Sequence, residues 1–109
     1  MPWVRAAARA VLDGKNVVGV RCGGHRLALY ALGDSVYATS DACPHLSAML
    51  SYGCVVQGYI ECPMHHALFD IRTGQSDGSV TDKNVQTFPV KVEGGDIYVE
   101  MPAMEENAS

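Results

Sequence analysis

With 109 residues and a formal charge of −4, the chain has room for one domain with a buried core, but none for a second, catalytic domain. The charge is uneven: residues 1–30 carry five cations against Asp13, a net +4, and residues 31–109 carry three against eleven acids, a net −8. No basic patch with aromatic neighbours occurs, which argues against nucleic-acid binding. The acids would suit a carrier meeting a basic partner surface, and would equally serve solubility alone.

Near the start, Arg5 and Arg9 interrupt the sequence before an apolar signal region can form, and no stretch approaches the length of a membrane span. A cytoplasmic, reducing setting is therefore expected, in which paired thiols act as ligands and not as bridges. Eleven glycines, five prolines and short runs of Val, Ile, Tyr and Ala point to strands joined by tight turns, with no sustained helical period. The expected class is all-β.

Trp3–Ala10 reads as a first strand, followed by a turn at Asp13-Gly14. Asn16–Cys22 is a second, and Gly23-Gly24 is a two-residue hairpin signal leading into a third, His25–Leu32. Gly33-Asp34 then turns into Ser35–Thr39, giving a meander of about four strands. Along it, His25 reads as an exposed turn residue, and Tyr30 and Tyr37 as strand residues that pack a sheet. Cys22 and Cys54 read as buried, inert thiols on strands.

At Asp41 the pattern changes to a loop containing Cys43-Pro44-His45. Pro44 fixes a backbone angle between the thiol and the imidazole, leaving the loop little freedom to lose. Gly53–Val56 and Tyr59–Glu61 form a short hairpin around Gln57-Gly58 that delivers a second such loop, Cys62-Pro63-Met64-His65. The 16 residues from Leu46 to Glu61 can leave one metal site and return to it. Two mixed Cys/His pairs can serve a tetrahedral zinc, or a 2Fe-2S cluster with both cysteines on one iron and both histidines on the other. A single residue between Cys and His, with a mixed pair repeated, fits zinc spacing poorly.

Ala67–Ile71 is a further strand with its turn at Thr73-Gly74, and Gln75–Asn84 is a polar loop. Val85–Val92, Gly94-Gly95 and Ile97–Met101 form a last hairpin, with clear alternation in Ile97, Val99 and Met101. The tail from Pro102 to Ser109 carries Glu105 and Glu106 and is expected to fray.

The two ligand segments, together with Phe69-Asp70-Ile71-Arg72-Thr73-Gly74, resemble the Rieske family over roughly Val4 to Met101. The resemblance implies a Rieske fold, with antiparallel sheets forming a β-sandwich. It implies one domain over residues 1–109, with a small cluster-binding subdomain at about 41–84. It implies one Rieske-type 2Fe-2S cluster, held through Cys43 and Cys62 on one iron and His45 and His65 on the other, with the 75–84 loop over one side. His66 is then a neighbour of the ligand His65, since adjacent residues in an extended segment point oppositely.

The family's free-standing ferredoxins are not enzymes themselves. By resemblance this chain is a soluble, monomeric electron-transfer component. It would carry single electrons from an NADH-dependent flavin reductase to the terminal oxygenase of an aromatic-ring dioxygenase, with no catalytic residues of its own. The alternatives are the small Rieske-like subunit of an assimilatory nitrite reductase and a structural zinc module.

Respiratory and photosynthetic members of the family have an extra cysteine in each loop, and Ser and Tyr hydroxyls that donate to the cluster sulfurs. The matching positions here are Ala48, Met64, Ala67 and Phe69. Without those donors the reduced, more negative state is less stabilised, so a potential near the low end of the Rieske range, about −150 mV, is expected. Leu46, Met49, Leu50 and Met64 flank the ligands and are expected to form an apolar rim, either for docking a partner or as a roof over the site.

Overall fold

The computed structural model describes residues 3–44, 48–64 and 66–101. Its ten described strands form three antiparallel sheets. The first sheet joins β1 (Trp3–Ala8) to the closing hairpin of β9 (Val90–Glu93) and β10 (Asp96–Glu100), in the order β1-β10-β9. The second is β2 (Val17–Cys22), β3 (His25–Leu32), β4 (Ser35–Ser40) and the two-residue β8 (Thr87–Phe88), side by side in that order. The third is a small meander of β5 (Cys54–Val56), β6 (Tyr59–Glu61) and β7 (Leu68–Asp70).

Strand β3 organises the molecule. Successive side chains on a strand face opposite ways, and here both faces are covered. Leu27 and Leu29 enter one core with Ala7, Phe88, Ile97 and Val99, where the first two sheets meet. Ala28 and Tyr30 enter another with Leu50, Ile60, Cys62, Phe69 and Ile71, where the second sheet meets the small one. The second core is the one that contains both motif cysteines.

Tyr30 is fully buried, with its hydroxyl 2.8 Å from Thr39 Oγ1. Thr39 Oγ1 itself donates to the Ser40 carbonyl at 2.9 Å, so the tyrosine hydroxyl is the donor of the pair. Burial pushes the Tyr30 pKa well up; the Thr39 bond opposes this and the charge of Asp41 reinforces it. Replacing Tyr30 with Phe is expected to lower unfolding stability by about 1 kcal/mol in urea titrations, because it removes one buried hydrogen bond.

The hairpins fall where the turn residues predicted them, and three expectations are corrected. Strand β1 is not part of the leading meander, which has three strands: β1 pairs with β10, Val4 opposite Val99. Residues after Ala8 form a 3₁₀ turn, Arg9–Leu12, whose Leu12 is buried in the first core and so ends the strand early. The segment Val85–Val92 is not one strand, because Pro89 divides it between sheets. Phe88 pairs with Ala38, and Val90 with Val99. Proline lacks the N–H that a continuous ladder needs.

Candidate metal centre

The two motif loops are closed in the same way. Cys43 N donates to Ala48 O at 2.9 Å, and Cys62 N to Ala67 O at 2.8 Å, so each cysteine is tied to the residue five places on. The first loop leaves the end of β4 and is closed by the Ala42–Met49 bridge. The second joins β6 to β7, with Glu61 opposite Leu68 as its last rung. A proline follows each cysteine directly, fixing a backbone angle just beyond the thiol.

Both cysteines are buried. Burial pushes the Cys62 thiol pKa up, the N–H of Met64 donated to its sulfur pulls the other way, and the facing Cys43 sulfur raises it further. Two thiols that meet out of water, with a backbone N–H aimed at one sulfur, suit a thiolate-held metal: the amide offsets part of the negative charge that burial penalises. Without a metal such a thiol stays protonated at neutral pH, so metal binding must displace the proton. The thiol pair therefore fits a thiolate-held centre, such as an iron–sulfur cluster or zinc.

The structure thus brings Cys43 and Cys62 together, as the spacing required. The expectations for His45 and His65 lie outside the described residues, as do those for Leu46 and the 102–109 tail. Among the described residues no group of three or more His, Cys, Asp and Glu side chains is disposed to hold a metal ion. Cys22 is buried in the first core, away from the pair. Cys54, expected to be buried, is exposed at the start of the three-residue β5, whose end residues both face outward. His25 is half-buried at the start of β3, opposite Cys22, and not an exposed turn residue.

His66 takes a positive φ of +61°, uncommon for a residue with a side chain. Its exposed ring places Nδ1 2.9 Å from Glu61 Oε2. Glu61 was not singled out from the sequence, although its position directly before Cys62 was a signal. It borders a small cavity of about 120 Å³, lined also by Tyr52, Gly53, Cys54, Cys62, Pro63 and His66.

The expected apolar rim is only partly borne out. Leu50 is fully buried and belongs to the second core, because it starts a 3₁₀ turn (Leu50–Tyr52) that packs inward. Met49 is half-buried and Met64 is 49% exposed. Tyr52, 73% exposed beside the same cavity, is a rim residue the sequence reading missed. Ala67 and Phe69 are buried and offer no hydroxyl to the site.

The polar loop from Gln75 to Asn84 is held by its own side chains. Ser76 N donates to Asn84 Oδ1 at 3.0 Å and its hydroxyl to the Thr81 carbonyl, and Asp77 N donates to Leu68 O at 3.0 Å on β7. Serine and asparagine bonds therefore fix a loop that contains no proline.

Compared with known proteins, residues 2–89 match the Rieske [2Fe-2S] domain, and the chain belongs to that family. The relatives it resembles are ferredoxins. The ferredoxin component of the naphthalene 1,2-dioxygenase system of Pseudomonas aeruginosa is 35% identical over 99 residues, covering 91% of this chain and 95% of that protein. The solved structure of the Sphingomonas yanoikuyae B1 ferredoxin aligns with a TM-score of 0.85 at 30% identity, over 93% of this chain and 100% of that one. A chain in the complex of reduced oxygenase and oxidized ferredoxin in carbazole 1,9a-dioxygenase aligns with a TM-score of 0.80 at 36% identity, over 89% of this chain and 91% of that one. These relatives are electron-transfer components and not catalytic subunits. No helix among the described residues is long and apolar enough to cross a membrane.

Proposed function

We propose that this chain is a one-electron carrier of a multicomponent aromatic-ring dioxygenase, taking electrons from a flavin-dependent reductase and delivering them to the terminal oxygenase. In this reading one 2Fe-2S cluster is held by Cys43 and Cys62 on one iron and by His45 and His65 on the other. The observation that carries it is the buried, facing Cys43–Cys62 pair on two loops of the same construction. The names of the relatives support the choice of a dioxygenase system and lend nothing to the nitrite-reductase alternative. A monomeric, cytoplasmic carrier, one domain with a cluster-binding part at about 41–84, belongs to the same reading.

When bound, a cluster with two histidine ligands supplies reversible one-electron chemistry within about −150 to +300 mV. The chain's own residues supply the rest. Ile60, Phe69 and Ile71 keep water from the thiol side, where both cysteines are buried. Met64 and Tyr52 present apolar surface beside the ligand loops, where a partner can exclude water on contact.

The test is an EPR spectrum of the purified protein after dithionite reduction, with iron and acid-labile sulfide assayed on the same sample and a redox titration alongside. A rhombic signal of low average g and a potential below zero are expected. A colourless, EPR-silent protein containing zinc would overturn the carrier reading.

A further inference from the structure

Asp41 is a fully buried carboxylate two residues before Cys43. A buried charge is costly unless it is paired and hydrogen-bonded, and this one is both. Its Oδ2 accepts from Arg26 Nε at 2.8 Å and from Ser51 Oγ at 2.9 Å, and its Oδ1 accepts from Ser51 N at 2.7 Å. The backbone repeats the tie: Asp41 N donates to Arg26 O at 3.0 Å, and Leu50 N to Asp41 O at 2.7 Å. Space for the cluster of side chains comes from β2. A Cβ on Gly19 would lie 2.7 Å from Ser51 Oγ and 3.0 Å from both Arg26 Nη2 and Asp41 Oδ2.

These contacts do two things at once. Asp41 and Ser51 stand at the two ends of the loop that carries Cys43, so one carboxylate closes the loop at its base and fixes it to β3 through Arg26. Among the described residues the second loop shows no such anchor: Glu61, at its base, is partly exposed and bonds to the exposed His66. Asp41 is also only two residues from Cys43, so the two Cα atoms lie within about 7 Å of one another. Out of water, as Asp41 is, such a charge is weakly screened.

We propose that Asp41, paired with Arg26, is the positioning residue for the Cys43 loop and sets the reduction potential of the group held there. This rests on the reading of Cys43 as a cluster ligand. The sign of each effect follows from charge. Removing the carboxylate while Arg26 remains favours the added electron and raises the potential. Removing the guanidinium while the carboxylate remains disfavours it and lowers the potential.

The experiment is a redox titration of wild type, Asp41→Asn, Arg26→Gln and Ser51→Ala, monitored by EPR. Asp41→Asn is expected to shift the reduction equilibrium about tenfold toward the reduced form, about +59 mV for a one-electron couple. Arg26→Gln is expected to shift it the other way. Ser51→Ala, which strips a donor from the carboxylate, should follow Arg26→Gln by a smaller amount. A role in folding alone would move Asp41→Asn and Arg26→Gln together, or change cluster content and leave the potential fixed. Either result overturns the proposal. If Asp41→Asn fails to assemble, the other two decide: both must fall, and a rise or no change in either overturns it. A wild type without the histidine-ligated signal overturns the carrier reading itself, whereas a wild type with the signal and unshifted variants overturns only the role of Asp41.

Discussion

Cys62→Ser is expected to yield a colourless protein with no acid-labile sulfide and no low-g EPR signal, and Cys54→Ser a protein indistinguishable from wild type. Cys62 is fully buried and faces Cys43. A serine there would be a shorter, harder donor whose proton is far more difficult to remove out of water. The site would keep one thiol of two, too few to hold an iron from that side. Cys54 is exposed, and its substitution tests whether any thiol matters. The damage should also be regional. Cys43 and Cys62 belong to the second core, while the first core, between the two larger sheets, contains neither. Hydrogen exchange of Cys62→Ser is expected to lose protection in β5, β6 and β7 and to keep it in β1, β2 and β10, because metal binding and local order are linked. Full iron occupancy with an unchanged signal in Cys62→Ser would remove Cys62 from the site.

Why the Cys43–Cys62 pair was legible and part of the fold was not follows from sequence distance. The turn at Gly23-Gly24 is a local event: both residues take positive φ, +57° and +82°, and the strand on either side has only one direction in which to return. The same logic placed Gln57-Gly58 and Gly94-Gly95. The pairing of β1 with β10 joins residues more than ninety positions apart, Trp3 opposite Glu100, and no local pattern encodes a partner at that range. The division at Pro89 was legible in principle, since a proline inside a strand signals an edge or a break, but the alternation on both sides of it imitates one continuous strand.

For the site, residue type and spacing were enough to pair Cys43 with Cys62, because metal chemistry restricts which side chains can serve. They said little about what surrounds the pair. Cys54 sits on a strand of three residues, too short for alternation to reveal which face is inward. Leu50 reads as loop and is core, since one 3₁₀ turn directs it inward. Asp41 carried no signal of burial: an aspartate next to a loop is ordinarily a solvated turn residue, and the Arg26 that neutralises it comes from another strand.

Gly53→Ala is expected to cost about 3 kcal/mol or more of stability and to lower cluster content with it. The backbone there is ordinary for any residue, with φ of −87°, so conformational strain is not the cause. The cause is contact. A Cβ would stand 1.9 Å from the Glu61 carbonyl oxygen and 3.2 Å from that of Leu50, both backbone atoms that cannot rotate away. Gly53 also closes the 3₁₀ turn by donating its N–H to Leu50 O at 2.9 Å. To admit a methyl group, either the buried Leu50 must leave the second core or β6 must retreat. The second movement carries Cys62, the next residue after Glu61, away from Cys43. Gly24→Ala separates this from a general intolerance of side chains: Gly24 has φ of +82° and nothing within 4 Å of an added Cβ. It should cost only the left-handed penalty of about 1–2 kcal/mol and leave the cluster intact. Chemical denaturation and iron analysis of both variants decide the matter. Equal stability losses with equal iron content would mean that the close approach of Gly53 to Glu61 does not hold the second ligand loop in place.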